Sequence, residues 1–332
     1  MPSLSELYHP PDGPIPTHRS SYPFISPSKY RGALEGKVAL ITGAGRGIGR
    51  EAALAFMAAG ASVACVSQTE SDLEDLLQQI EKRTLSDSNA PTGTGNASAN
   101  PDDTSPARDA RHEGAIAIPG DVADPSFAPK AVAQTEERLG PISILINNAG
   151  LSRISSLEHE TSVLEPWRVI EVSLLGSMSF TQAVIPSMIS QLSGTIINVV
   201  SILGKVTVPW FSAYAAAKAG LAKYTEVTDL ELREKGISSF AVHPCMSLET
   251  TIARGAVNKL AMEEVKGMKA WMGEFVSSNA DHVDMPVDTF VALCCEERAR
   301  VLSGRFVDAT YDVGKIIWAA EQELEDERAG GA

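Results

Sequence analysis

The sequence predicts an α/β fold: a doubly wound parallel sheet of seven strands in a single domain. Seven apolar runs end near Ile41, Val66, Ile118, Ile146, Val200, Val242 and Val307, and most are separated by stretches long enough for a crossover helix. The first run, Lys37-Val38-Ala39-Leu40-Ile41, leads into a glycine-rich turn and then a helical pattern, Arg50-Glu51-Ala52-Ala53-Leu54-Ala55-Phe56. With 332 residues and 44% hydrophobic content, the chain has ample material for one large buried core.

Taken in order, residues 1–34 form a Pro-rich arm without regular structure, whose Tyr22, Phe24 and Ile25 are candidates to dock on the body. The fold proper occupies residues 35–311. A second strand, Gly60 to Val66, is followed by a helix from about Ser71 to Thr84. Residues 85–112, rich in Ser, Thr, Asn, Pro and Gly with no apolar period, read as a low-complexity surface insertion before the third strand, Ala115-Ile116-Ala117-Ile118. Residues 312–332 read as an acidic tail with a solvated, helix-like pattern.

Bulk properties exclude several roles. A net charge of −14 leaves no excess of cations to neutralise a nucleic-acid backbone. Cys65, Cys245, Cys294 and Cys295 have neither metal-ligand nor disulfide-framework spacing, so reduced thiols and no metal are expected. No stretch reads as the roughly 20 apolar residues that span a bilayer, and the start lacks a basic-then-apolar signal. A cytoplasmic protein with no membrane or nucleic-acid partner is expected.

The turn reads Thr42-Gly43-Ala44-Gly45-Arg46-Gly47-Ile48-Gly49. Its four glycines let backbone approach a pyrophosphate, and the following helix offers unpaired N–H groups and a positive dipole end. Further on stand Asn147-Asn148-Ala149-Gly150, Ser201, and Tyr214-Ala215-Ala216-Ala217-Lys218, with Ser201 thirteen residues before the tyrosine. Together these resemble the signatures of the short-chain dehydrogenase/reductase family, T-G-x-x-x-G-x-G, N-N-A-G, Ser and Y-x-x-x-K, over residues 37 to 250. The resemblance implies a Rossmann-type fold and a nicotinamide dinucleotide. It assigns the cofactor to Thr42, Gly43, Gly45, Arg46, Gly47, Ile48, Gly49, Ser67, Gln68, Thr69, Asp121, Val122, Asn148, Ala149, Gly150, Tyr214, Lys218, Pro244 and Ser247.

Cofactor choice turns on the end of the second strand, where an acid binds the adenosine ribose and repels a 2′-phosphate. Here stand Ser67, Gln68 and Thr69, which can donate hydrogen bonds, with Arg46 in the loop. NADP(H) is therefore favoured; Glu70 nearby keeps NAD(H) open.

Tyr214 and Lys218 lie one helical turn apart, so an ammonium beneath the phenol is expected to lower its pKa and ready it for acid–base work. By resemblance, Ser201 holds the substrate oxygen and Lys218 the nicotinamide ribose. The expected reaction interconverts a ketone and a secondary alcohol of medium to large apolar character. Ser173 stands where the family has asparagine, which implies a slower or altered proton relay, and His243-Pro244-Cys245 replaces the usual Pro-Gly. These two departures leave a non-redox cyclase or isomerase as an alternative, and a non-catalytic NADP(H) sensor acting through its lid and tail is a further one. Residues 246–285 occupy the family's substrate lid and carry five of the nine methionines with Trp271 and Phe275; Thr250 or Thr251 is placed over the pyrophosphate. Trp210-Phe211 adds aromatic surface before the tyrosine. Family habit pairs the helices after Asn147 and around Tyr214 between subunits, so a homodimer or homotetramer is expected.

Overall fold

The computed structural model describes residues 15–88, 114–245, 256–267 and 282–330. Its elements run β1 (Val38–Thr42), α1 (Gly47–Ala58), β2 (Ser62–Ser67), α2 (Glu70–Ser88), β3 (Ala115–Pro119), α3 (Phe127–Leu139), β4 (Ile144–Asn147) and β5 (Arg153–Ile154). There follow α4 (Leu164–Ile170), α5 (Gly176–Gln191), β6 (Gly194–Val199), α6 (Ser212–Leu232), β7 (Ile237–His243), β8 (Ala256–Val257), α7 (Lys259–Glu264), α8 (Asp284–Cys295), β9 (Phe306–Asp308) and α9 (Val313–Gly330). Seven strands form one Rossmann-type sheet in the order β3-β2-β1-β4-β6-β7-β9, every pair parallel. The order reverses between β1 and β4, and a crevice opens there at the strands' carboxyl ends, where ligands of such sheets bind.

Side chains alternate across each strand, and both faces are covered. From β1, Ala39 and Ile41 join Ala52, Ala53 and Phe56 of α1, Phe290 of α8 and Ile317 of α9. Val38 and Leu40 point the other way, toward Ala128 and Ala131 of α3 and Phe180, Val184 and Met188 of α5. Helix α1 buries Gly49, Ala52, Ala53 and Phe56, one stripe at three- and four-residue spacing. It stops at Ala59 because Gly60 turns to φ +99°, which lets Ala61 N–H reach back to Phe56 O at 3.0 Å.

Several expectations change. Helix α2 runs to Ser88 rather than Thr84, since nothing between Thr84 and Ser88 breaks a helix; residues 89–113 of the insertion lie outside the described residues. The arm holds a 3₁₀ turn, Pro27–Tyr30, and buries Tyr22, Ile25 and Tyr30 in the main core. The tail is not simply solvated: α9 buries Val313, Ile316, Ile317 and Ala320 and exposes its acidic face. Among the described residues, one helical run, Leu164–Gln191, is long and apolar enough to cross a membrane by length and composition, contrary to the expectation that none would be. It flanks the sheet, joining α4, a π-helical turn over Glu171–Leu175, and α5.

Candidate active site

The glycine turn is closed by contacts that leave no room for side chains. Gly43 sits at φ +67°, and a Cβ on Gly49 would lie 2.2 Å from Gly43 O. Thr42 Oγ1 donates to Ile146 O and accepts from Asn148 N–H at 3.0 Å and Ala149 N–H at 3.1 Å. Asn148 Nδ2 donates to Thr42 O and Gly43 O, so β4 clamps the turn that follows β1. Arg46 is the exposed N-cap residue of α1 and makes no side-chain cap, which leaves the N–H groups of this twelve-residue helix for an anion. Gly47, at φ +57°, and half-buried Ile48 carry the chain into the helix.

Across the crevice, Ser67 is half-buried and Gln68 and Thr69 are exposed. The position a Cβ on Gly45 would take lies 2.7 Å from Ser67 Oγ and 2.8 Å from Asp72 Cβ. Sequence reading missed Asp72, an acid from the first turn of α2 that stands behind the loop. It also missed Arg168 of α4, whose guanidinium pairs with Asp121 Oδ2 and lies 3.4 Å from Glu171. The Gln68 amide is used as well: its Nε2 donates to Asp121 Oδ2 at 3.4 Å. Val122 is pressed against Gly176, where a Cβ would lie 3.0 Å from its Cγ2, so the start of α5 positions the loop after β3. An i+3 or i+4 pattern cannot reveal such pairs, because they join residues roughly fifty apart in sequence.

At the centre of the same sheet edge, Ser201 follows β6 and caps a 3₁₀ turn, its Oγ accepting from Leu203 N–H at 3.2 Å. Gly204 lets that turn touch α6: a Cβ there would lie 2.9 Å from the backbone at Lys218 and Ala219. The spacing on α6 brings buried Tyr214 and Lys218 onto one face, with Nζ 5.8 Å from the phenol ring centroid. Burial pushes the Tyr214 phenol up to about 12, and a hydrogen bond with Ser201 draws it back in part. The expected lowering by Lys218 is thus corrected. The ammonium is itself desolvated, with its pKa brought down to about 8, and its Nζ donates to Val199 O at 2.6 Å.

Ser173 is buried within the π turn; its Oγ accepts from Leu151 N–H at 3.0 Å and donates to Leu151 O at 3.2 Å. The short hydroxyl therefore pins the chain just past Gly150. Asn147 sits below the site in a buried ladder: its Nδ2 lies 2.8 Å from Asn198 Oδ1 and 3.0 Å from Thr181 Oγ1, and Asn198 Nδ2 donates to Thr225 Oγ1 at 2.9 Å. Trp210 holds φ +75°, uncommon for a bulky residue, while its carbonyl accepts from Ser155 N–H at 3.0 Å and Phe211 packs 6.5 Å from the Tyr214 ring. Pro244 and Cys245 are buried beyond β7. Ser247, Thr250, Thr251, Trp271 and Phe275 lie outside the described residues, and Met285 is a core residue of α8 rather than lid surface.

A family model described as short chain dehydrogenase matches residues 37–94 and 97–260. A short chain dehydrogenase from Pseudocercospora fijiensis is 34% identical over 315 residues, covering 93% of this chain and 91% of the relative. A ketoacyl reductase, HetN, from Nostoc is 34% identical over 211 residues, covering 64% of this chain and 63% of that protein. Among solved structures, a gluconate 5-dehydrogenase from Burkholderia cenocepacia, in complex with NADP and tartrate, shares the fold with a TM-score of 0.65 at 23% identity, covering 85% of this chain and 96% of the other. The model match over most of the chain, the near-full-length relative and the Ser201, Tyr214 and Lys218 geometry agree: this chain belongs to the short-chain dehydrogenase/reductase family of oxidoreductases.

Proposed function

We propose that this protein is an NADPH-preferring reductase or dehydrogenase that interconverts a ketone and a secondary alcohol on a medium to large apolar substrate, with Tyr214 as general acid and base. The buried Ser201, Tyr214 and Lys218 cluster, on the same sheet edge as the glycine turn, carries this reading. The residues fit a dinucleotide: the turn at Gly43 to Gly49 and the uncapped start of α1 would hold the pyrophosphate. Arg46, Ser67, Gln68 and Thr69 would take the adenosine ribose with its 2′-phosphate, and Asp121 and Val122 the adenine. Asn148, Ala149, Gly150, Tyr214, Lys218, Pro244 and Ser247 would hold the nicotinamide half. When bound, the cofactor gives or accepts the hydride.

In the reducing direction, Ser201 donates a hydrogen bond to the carbonyl oxygen and Tyr214 passes its proton to that oxygen as negative charge develops. Lys218 then faces the phenolate. A phenol raised to about 12 stays protonated through the neutral range, which suits it to donate. Ser173 keeps the backbone carbonyl that the relay needs, but its side chain is committed to Leu151. That the Burkholderia neighbour was solved with NADP supports the cofactor assignment.

Parallel titrations with NADPH and NADH, followed by nicotinamide fluorescence, test the reading. NADPH is expected to bind at least tenfold more tightly, and Arg46→Ala to erase that preference by removing one charge-assisted contact of about 1.5–3 kcal/mol. Tighter binding of NADH would assign control of the site to Asp72 instead. Binding of neither would overturn the redox assignment.

A further inference from the structure

The described part of the lid is fastened to the body next to the catalytic tyrosine. Strand β8 pairs with β5, and Asn258 N–H donates to Ile154 O at 2.9 Å. Asn258 then does two things at once. Its Oδ1 caps α7 by accepting from Leu260 N–H and Ala261 N–H, and its Nδ2 donates to His159 O at 3.0 Å. His159 Nε2 lies 3.1 Å from Glu264 Oε2 at the far end of the same helix, and its Nδ1 meets the Ser156 hydroxyl. One tautomer satisfies both: a proton on Nε2 donated to the carboxylate, and Nδ1 accepting from Ser156. The loop bearing His159 is held by Arg153, which grips Glu160 through two nitrogens at 2.6 and 2.9 Å.

This fastening lies beside the apolar cluster that contains the Tyr214 phenol. Ala261 of α7 is fully buried in one apolar cluster with Ile154, Phe211 and Tyr214, and Met262 and Val265 pack against it. Tyr214 is itself buried, and α7 contributes Ala261 to the apolar cluster that surrounds it.

We propose that His159 is a positioning residue: through Glu264 and Asn258 it latches α7 beside Tyr214, and so sets how tightly substrate is retained and how fast product leaves. The kinetic half of this inference rests on the proposed oxidoreductase reading; the structural half does not.

The test uses the full-length protein with His159→Ala, Glu264→Gln and the double variant. The backbone amides of Met262 and Val265, which close α7 by donating to Asn258 O and Ala261 O, report on the latch by hydrogen exchange. Each single variant is expected to speed their exchange at least fivefold, with the double variant no faster than either and α6 unchanged. Unchanged exchange at these amides, or two additive effects, would overturn the latch. With 9,10-phenanthrenequinone as the probe carbonyl, KM is expected to rise three- to tenfold with kcat unchanged or raised and NADPH affinity unaltered. A lower kcat at unchanged KM would overturn the role in retention. Absence of any turnover by the unaltered protein would count against the oxidoreductase reading, and hydrogen exchange would still decide the latch.

Discussion

Lys218 illustrates what a buried ammonium costs its fold. Its folded pKa of about 8 lies below the ordinary lysine value, so between that point and about 10.4 the unfolded chain binds the extra proton. Stability therefore rises with pH through this window, and at pH 7 the buried ammonium weakens the fold by about 3 kcal/mol. Lys218→Met is expected to abolish turnover and raise Tm by several degrees near neutrality, with the gain shrinking by pH 10; calorimetry across pH checks it. The phenol behaves differently. Tyr214→Phe is expected to lower turnover by about 10²–10⁴-fold with dinucleotide affinity intact, read by steady-state kinetics beside a binding titration. In the unaltered protein, ketone reduction is expected to stay level through the neutral range while alcohol oxidation keeps rising toward pH 12, because only the latter needs the phenolate. These residues were legible in sequence since their spacing is local to one helix or follows one strand. Their electrostatics were not: burial, which no motif states, reversed the expected direction for Tyr214.

Among the elements, the seven strands were legible because each is an apolar run fed by a crossover, and the glycine turn because only glycine fits where Gly43 and Gly49 meet. Contacts between elements were not. The arm's docking on α8 depends on tertiary packing, and so does the burial of one face of α9. Helix α8 shows the consequence. Asp288 is almost fully buried, and that burial pushes its carboxyl up to about 6, with Ser21 from the arm lowering it and Asp284 raising it. The folded state thus holds a proton that the unfolded chain releases near pH 4, so stability falls as pH rises from about 4 to 6. Asp288→Asn is expected to gain about 2 kcal/mol at pH 7 and to flatten the unfolding midpoint between pH 4 and 6 in denaturant titrations. An unchanged pH slope would place the charge elsewhere.

At the level of the whole molecule, α4, α5, α6 and the π turn each carry exposed apolar residues. Leu164, Trp167, Leu175, Met178, Val227 and Leu230 are all exposed, Leu230 by 69%. Such a surface is costly in a monomer and matches the helices proposed to pair between copies. Leu230→Asp is expected to halve the mass measured by light scattering, and a protein already monomeric before substitution would refute the pairing. Arg168 reaches from this same helical run to Asp121, so a subunit seated there would brace the loop that follows β3.

The arm and the segment that opens α9 are also joined. Thr17 bridges to Tyr311, His18 N–H donates to Thr310 O at 2.7 Å, and the Tyr22 hydroxyl accepts from Val313 N–H at 2.7 Å across 291 positions. A ribosome adding about 5–20 residues per second delivers Tyr22 roughly 15 to 60 s before Val313 exists. The apolar arm must spend that interval without its berth, and its docking waits until Val313 has been made.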